Sequence, residues 1–328
     1  MHKDTSYQAK YMSSFMPKQV PLRGHDNMSS TKNYKIQIAS DLHLEFLSFS
    51  GEDENDCFSR IIVKNADAKV LALLGDITIL TTDKCREQYQ RFIEWSLSQW
   101  DQVILLTGNH EYYRKGYGEK VDMEKCDRFL KQLEERFDNL HFLQKSVLDL
   151  DDCVVLGCTL WSAIPEEVMD EIRSNLNDYH SIYTTDSQHE STSSRLLKPI
   201  DTNTIHYEHI AWLKAQLELY RDREVVILTH HTPSMQGTSD PCFNSTINKP
   251  NHMAHAFSTD LTELINDNPC IKIWAYGHTH YNNRQYFVRN SSDLSSKCLL
   301  ISNQYGYCGE NCKHMRNGNY RYDPSLTI

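Results

Sequence analysis

Five short segments of the sequence carry side chains that can bind metal ions, and each directly follows an apolar run. In chain order they read SDLH, LGD, TGNHE, LTHH and YGHTH. Their polar side chains are those of Asp41, His43, Asp76, Asn109, His110, His230, His231, His278 and His280. Carboxylate, carboxamide and imidazole ligands together suit Mn, Fe, Zn or Ni, whereas an all-oxygen set would favour Mg or Ca. The ligand types therefore predict a transition-metal site.

A dinuclear centre would give such a set a chemical purpose. One aspartate can bridge two cations with its two oxygens, and two metals about 3.5–4 Å apart can hold a hydroxide between them and clamp a phosphoryl group. The metals lower the pKa of bound water from 15.7 to about 7, which makes a nucleophile at neutral pH. Hydrolysis of a phosphate ester is the reaction that this arrangement predicts.

Each segment alone has a structural explanation without chemistry. Asp-x-His occurs by chance in many chains, Gly-Asp and Gly-Asn-His are common in turns, and a single histidine at a strand end more often makes a loop hydrogen bond. No such explanation covers all five segments, in order and each at a strand end. The joint pattern therefore favours a metal site.

The apolar runs that precede these segments have the length and composition of buried strands. They are apolar throughout rather than alternating, as expected of strands covered on both faces. Such runs occupy residues 34–41, 69–76, 102–110, 153–161, 224–231, 271–278 and 297–305. In an α/β sheet, ligands bind in the crevice at the carboxyl ends of the strands. Side chains at i and i+2 of an extended segment point the same way, so Asp41 is expected to face the same side as His43, and His278 the same side as His280.

Helical patterns between the runs complete an α/β domain. Apolar side chains recur at helical spacing over residues 83–100, 118–137 and 205–222. Residues 258–269 begin with plausible caps and stop before a proline. The alternation predicts one domain over residues 34–309. Residues 1–33 are expected to be a disordered leader, 162–204 an insertion or loop near the site mouth, and 310–328 a polar C-terminal tail.

Composition excludes some functions and bounds others. The formal net charge is −10, which argues against a duplex nucleic-acid binder. The sequence contains no stretch of about 18 apolar residues, so no membrane span is predicted. A cytoplasmic location is expected, with an N-terminal transit peptide as the weaker alternative, and the ten cysteines are expected to be reduced. The segment CGENCKH (residues 308–314) fits no common zinc spacing, and a polar loop is the preferred interpretation.

The five segments together resemble the signature of the calcineurin-like metallophosphoesterase superfamily, which has the form DxH, GD, GNH[DE], H and GHxH. The match covers residues 41 to 280 and is complete. The resemblance implies a four-layer α/β/β/α sandwich. It also implies two divalent or trivalent metal ions, one held by Asp41, His43 and His280 and the other by Asn109, His230 and His278, with Asp76 bridging.

The same resemblance implies that His110 lies beside the phosphate as general acid or stabiliser of charge. Glu111 is expected to orient His110, and Arg114 and His231 are expected to contact the phosphate or line the pocket. His230 is preferred over His231 as the ligand because it comes first after the apolar run. Weaker candidates are Asn177, Asp178, Tyr179, Tyr305 and Tyr307.

The expected substrate is a small phosphate mono- or diester, which includes nucleotides, and manganese is among the expected metals. The alternatives are a non-catalytic metal-binding scaffold for protein partners and a phosphoprotein phosphatase. A nuclease is disfavoured because the chain has no basic stripe with interleaved aromatic residues.

Overall fold

The structure is a computed structural model that describes most of the chain. The described residues are 35–47, 53–116, 120–185, 194–240, 252–289, 297–307 and 321–328. The predictions for the leader (1–33) and for CGENCKH (308–314) lie outside these residues.

Parallel strands form the centre of the molecule. The strands that the structure describes are β1 Lys35–Ala39, β2 Ala68–Leu74, β3 Gln102–Leu106, β4 Leu140–Phe142, β5 Ser146–Asp149, β6 Val154–Cys158, β7 Tyr183–Thr185, β8 Ser194–Leu196, β9 Val225–Thr229, β10 Ile271–Tyr276, β11 Arg284–Val288 and β12 Lys297–Ser302. The first sheet has the order β1-β2-β3-β4 and is parallel throughout. The second has the order β11-β12-β10-β9-β6-β5, with antiparallel pairs only at its two ends. β7 and β8 form a separate antiparallel pair.

Helices connect the strands. Among the described residues they are α1 Glu54–Ile61, α2 Asp83–Gln99, α3 Met123–Glu134, α4 Met169–Asn175, α5 Asp178–Ser181, α6 Pro199–Leu219, α7 Ala254–Phe257 and α8 Thr262–Asp267. The start of α2 follows from its cap, because the Thr82 hydroxyl accepts a hydrogen bond from the Cys85 amide at 3.3 Å. In the part of the chain described, no helix is both long and apolar enough to cross a membrane.

The first sheet has a different partner on each face. Val70, Ala72 and Leu74 of β2 pack in a core between the two sheets. Leu71 and Leu73 point the other way, into the core formed with α1, α2 and α3. Since successive side chains of a strand alternate between faces, an apolar run is needed to bury both.

The second sheet repeats this arrangement. Val226 and Leu228 of β9 lie in the core between the sheets. Val225 and Ile227 lie in a separate core that includes Leu213 of α6. The order of layers is therefore helix, sheet, sheet, helix, and the predicted four-layer α/β/β/α sandwich is confirmed.

One helix begins earlier than expected. The predicted helix 205–222 corresponds to α6, which starts at Pro199. The proline occupies the first turn, and the Asp201 carboxylate accepts a hydrogen bond from the Lys198 amide at 2.9 Å. This first turn is polar and shows no apolar periodicity, so the sequence pattern alone started the helix too late.

The described part of segment 162–204 has regular structure, and the chain end contacts β1. The first contains α4, α5, the β7–β8 pair and the first residues of α6. At the chain end, the Ile36 amide donates to the Ile328 carbonyl at 3.1 Å, and the Ile328 amide donates to the Ile36 carbonyl at 2.8 Å. Residues 326–328 thus pair with β1, while residues 310–320 of the predicted tail lie outside the described residues.

The cysteines within the described residues are free thiols, as expected of reduced side chains. They are Cys57, Cys85, Cys126, Cys153, Cys158, Cys270 and Cys298.

Candidate metal centre

The polar segments that follow β1, β2 and β10 are built from left-handed turns. Five of their side chains sit on residues with positive φ: Asp41 (54°), His43 (47°), Asp76 (55°), His278 (75°) and His280 (52°). The backbone of these pairs is therefore not extended. Asp41 and His43 still lie in one group of candidate ligands, as expected, whereas His278 and His280 belong to different groups. Non-glycine residues in this region are strained, and such strain concentrates at functional sites.

The glycines of the segments allow the loops to approach one another. A Cβ atom on Gly108 would lie 2.2 Å from Asp76 Oδ1 and 2.5 Å from His230 Cε1. A Cβ atom on Gly277 would lie 2.7 Å from Asp41 Oδ2. Only a residue without a side chain fits at either position, which is the physical reason for glycine in GNHE and GHTH.

Asp41, His43 and His280 form the first group of side chains that could hold a metal ion. The Nε2 atoms of His43 and His280 lie 3.0 Å apart, and His280 Nε2 lies 3.4 Å from Asp41 Oδ1. Burial alone would raise the pKa of Asp41, but the neighbouring His280 and His230 hold it below its ordinary value. The carboxylate is thus available as a charged ligand.

Asp76, His230 and His278 form the second group. His230 Nε2 lies 3.5 Å from Asp76 Oδ2 and 3.2 Å from Asn109 Oδ1. The Nδ1–H of His230 donates to the Leu74 carbonyl at 2.8 Å, which leaves Nε2 facing the two oxygens. A ligating histidine usually has its other nitrogen held in this way.

Asp76 connects the two groups through one oxygen. Its Oδ2 lies 3.9 Å from His43 Nε2 and 3.5 Å from His230 Nε2, whereas Oδ1 accepts the His110 amide at 2.8 Å. Burial would raise the pKa of Asp76, but the neighbouring His230, His110 and His43 hold it well below its ordinary value. One oxygen of Asp76 thus faces both groups, and the other is held by the His110 amide.

The observed donors fit a metal ion. Bonds of about 2.0–2.2 Å to nitrogen and oxygen put neighbouring ligand atoms roughly 3–3.5 Å apart, which matches the spacings around His280 and His230. The Nε2 atom of His278 is buried without a hydrogen-bond partner in the described structure, and a buried polar atom without a partner is costly. Burial and the nearby His230 lower the pKa of His278 to about 3, so its ring is neutral and can ligate.

Asp178 orients the amide of Asn109. One carboxylate oxygen of Asp178 accepts from Asn109 Nδ2 at 2.8 Å and from the Tyr113 hydroxyl at 2.6 Å. A carboxylate oxygen requires donors, so the NH₂ end of Asn109 points to Asp178 and its carbonyl oxygen points to His230. Asp178 was only a weak candidate from the NDY segment, and here segment 162–204 reaches the site.

His110 lies between two partners. Its Nδ1 lies 3.1 Å from Glu45 Oε1, and its Nε2 lies 2.9 Å from the Tyr307 hydroxyl. Burial would lower the pKa of His110, but Asp76 and Glu45 raise it above its ordinary value. Glu45 was missed at the sequence level; its only signal is its position two residues after His43.

Glu111 does not contact the ring of His110 through its described bonds, so the expectation that it orients His110 is wrong. Its carboxylate accepts from the amides of Asp76 (2.9 Å), Ile77 (2.8 Å) and Gly108 (2.7 Å). Burial, followed by the Asp76 charge, raises the pKa of Glu111 to about 8. Glu111 therefore ties the loop after β2 to the loop after β3.

The remaining two candidates lie in different surroundings. The His231 ring is buried, 4.0 Å from the His278 ring and 5.0 Å from the Trp161 ring, and neither of its nitrogens has a partner in the described structure. The Arg114 guanidinium lies 5.8 Å from the Tyr183 ring, and its Nη1 lies 3.4 Å from that hydroxyl. The contacts thus place His231 beside the second group of ligands and Arg114 against β7.

The four-layer fold, with His and Asp groups gathered at its strand ends, defines a metal-binding α/β enzyme. A family model described as calcineurin-like phosphoesterase matches residues 34–282. The chain therefore belongs to the calcineurin-like phosphoesterase family, as the sequence segments predicted. It is a metal-dependent hydrolase of phosphate esters.

The chain is also similar to two individual proteins. An uncharacterized protein of Acanthamoeba polyphaga mimivirus is 31% identical over 286 residues, which is 84% of this chain and 92% of that protein. The crystal structure of phosphopantetheinyl hydrolase from Mycobacterium tuberculosis superposes with a TM-score of 0.59 at 14% identity and covers 88% of this chain and 94% of that one. At this identity the second likeness shows the fold alone.

Proposed function

We propose that the protein hydrolyses a small phosphate mono- or diester at a dinuclear metal centre. Asp41, His43 and His280, together with Asp76, would hold one ion, and Asp76, Asn109, His230 and His278 would hold the other. The observation that carries it is the single Asp76 oxygen that faces both His43 and His230. When bound, the ions would supply an activated water and neutralise the charge of the phosphate.

His110 would donate the proton that the leaving oxygen needs. Glu45 takes up its Nδ1 side, so Nε2 is the atom from which a proton can pass to substrate. The Tyr307 hydroxyl, 2.9 Å from Nε2, lies where the leaving group would arrive. The raised pKa of His110 favours the protonated ring that a general acid requires.

Two other functions remain alternatives. A scaffold for protein partners would not need a protonated His110, and the complete set of ligands argues against it. A phosphoprotein phosphatase would use the same centre on a larger substrate. No described contact distinguishes a protein substrate from a small one, so a panel of substrates must do so.

Metal analysis and kinetics together test the proposal. The purified protein should contain bound transition metal and hydrolyse members of a panel of phosphomonoesters, phosphodiesters and phosphopeptides. His110→Ala should keep the metal and lose roughly 10²–10⁴-fold in rate, whereas Asp76→Asn should lose both metal and activity. His180→Ala, at an exposed position, serves as the control. A metal-loaded protein that turns over no ester would favour the scaffold, and turnover of phosphopeptides alone would favour the phosphatase.

A further inference from the structure

An exposed aromatic side chain stands at the rim of the metal centre. Phe46 is the last residue of a 3₁₀ turn, Leu44–Phe46, that follows directly on His43, and 58% of its surface is exposed. Its amide donates to the His43 carbonyl at 3.0 Å, so its backbone is fixed to the ligand loop. Phe46 thus presents an exposed aromatic ring from the same turn that carries His43.

Ring contacts connect Phe46 to the reacting groups. Its centroid lies 6.0 Å from that of His43 and 6.4 Å from that of His110. The Tyr307 ring meets it edge-on, at 5.5 Å and an angle of 83°. A third aromatic ring, that of Tyr113, stacks on His110 at 4.1 Å. The side of the centre near His110 is therefore walled by aromatic rings.

The carboxylate partners of His110 lie at its Nδ1 atom and its amide. The Glu45 carboxylate lies 3.1 Å from His110 Nδ1, and Asp76 Oδ1 accepts the His110 amide at 2.8 Å. At Nε2 the described partner is the Tyr307 hydroxyl, at 2.9 Å, and the Arg114 guanidinium lies against the Tyr183 ring. The flat surfaces of the aromatic rings near Nε2 favour a planar ring in the leaving group.

We propose that Phe46, supported edge-on by Tyr307, forms a subsite for a planar aromatic ring in the leaving group of the substrate. The substrate class is then an ester between phosphate and an aromatic or aryl-bearing alcohol, a nucleoside included. This inference rests on the proposed function, because it uses His110 to mark the leaving-group side.

Ligand binding tests the subsite without any turnover. Phenylphosphonate and methylphosphonate present the same phosphoryl group to the metal-loaded protein and differ in the ring, so the ratio of their dissociation constants by calorimetry reports on stacking. The wild-type protein should prefer phenylphosphonate. Phe46→Ala should reduce this preference by about tenfold, as expected for the loss of one stacking partner, and Phe46→Trp should keep it.

A matched control makes the result specific. Tyr286 on β11 is also 58% exposed, and Tyr286→Ala should leave the ratio unchanged. An unchanged ratio in Phe46→Ala, or a wild-type protein without preference, would overturn the subsite. Failure of the wild-type protein to hydrolyse any ester would instead refute the proposed function, and the binding ratio would still report on the ring.

Discussion

Removal of the Asp178 carboxylate should weaken metal binding although Asp178 is not itself a proposed ligand. The buried carboxylate fixes the Asn109 amide with a 2.8 Å hydrogen bond, and Asn109 Oδ1 then faces His230. In Asp178→Ala the remaining described partner of Nδ2 is the Tyr113 hydroxyl at 3.2 Å, which can donate or accept, so the NH₂ group can turn toward the metal position. Such a turn replaces an oxygen ligand with a donor that cannot bind a cation.

The expected loss follows from the number of hydrogen bonds. One oxygen of Asp178 accepts two of them, from Asn109 and from the Tyr113 hydroxyl at 2.6 Å. Hydrogen bonds to charged groups contribute about 1.5–3 kcal/mol each, but water can replace part of this in the variant. Loss of an outer partner of a ligand typically costs about 10–100-fold in metal affinity, and we expect Asp178→Ala to lie in this range. Asp178→Asn keeps an acceptor oxygen and should lose less.

Competition between the metal-free protein and a chromogenic chelator measures the affinity. Asp127→Ala is the matched control, because the Asp127 carboxylate also accepts a tyrosine hydroxyl, that of Tyr112 at 2.7 Å, but has no described contact with a proposed ligand. It should lower the melting temperature without a change in metal affinity. If Asp178→Ala binds metal as tightly as the wild type, Asp178 does not orient Asn109 and the second ion site has been assigned wrongly.

Three further changes test other parts of the centre. Removal of metal with a chelator should abolish turnover and lower the melting temperature, because a ligand that binds only the native state stabilises it. Turnover and the original melting temperature should return when metal is added back. An unchanged melting temperature in calorimetry would argue against a buried ion. Glu45→Gln should lower kcat by roughly 10–100-fold with little change in KM, because the charge that faces His110 Nδ1 and His43 Nδ1 is lost. An unchanged kcat in steady-state kinetics would contradict this role of Glu45. Gly108→Ala should lose metal or fail to fold, because its Cβ would lie 2.2 Å from Asp76 Oδ1; metal content and melting temperature equal to the wild type would contradict the close approach.

The sequence was sufficient for the fold and for the gathering of the predicted ligands. Runs such as residues 69–76 are apolar at every position, and this identified strands buried on both faces, as β2 shows with Val70 between the sheets and Leu71 under the helices. The polar residue that follows each run was therefore expected at the carboxyl end of its strand. Strand order, by contrast, depends on long-range pairing that single runs do not encode.

The residues that support the ligands were harder to predict. Glu45 lies in a segment, SDLHLEF, whose alternation of polar and apolar residues suggests a solvated carboxylate, and only the tertiary structure buries it beside His110. Glu111 follows His110 directly and invited a role in orienting it, but its side chain turns to the amides of the neighbouring loops. Local spacing shows which residues are adjacent along the chain and does not show which way a side chain leaves a turn.

Left-handed turns explain both the success and the failure of the strand-based reasoning. Five of the proposed ligands have φ between 47° and 75°, and each such residue costs on the order of 1–3 kcal/mol. Their sum is comparable with the roughly 5–15 kcal/mol of stability of a whole domain, so the loops must compensate one another. They do so through backbone hydrogen bonds. The Asp41 amide donates to the Gly75 carbonyl at 3.0 Å, and the Gly277 amide donates to the His230 carbonyl at 2.9 Å. Since each strained turn is held by the next loop, the segments of the signature are needed together, and a change in any one is expected to reach both groups of ligands.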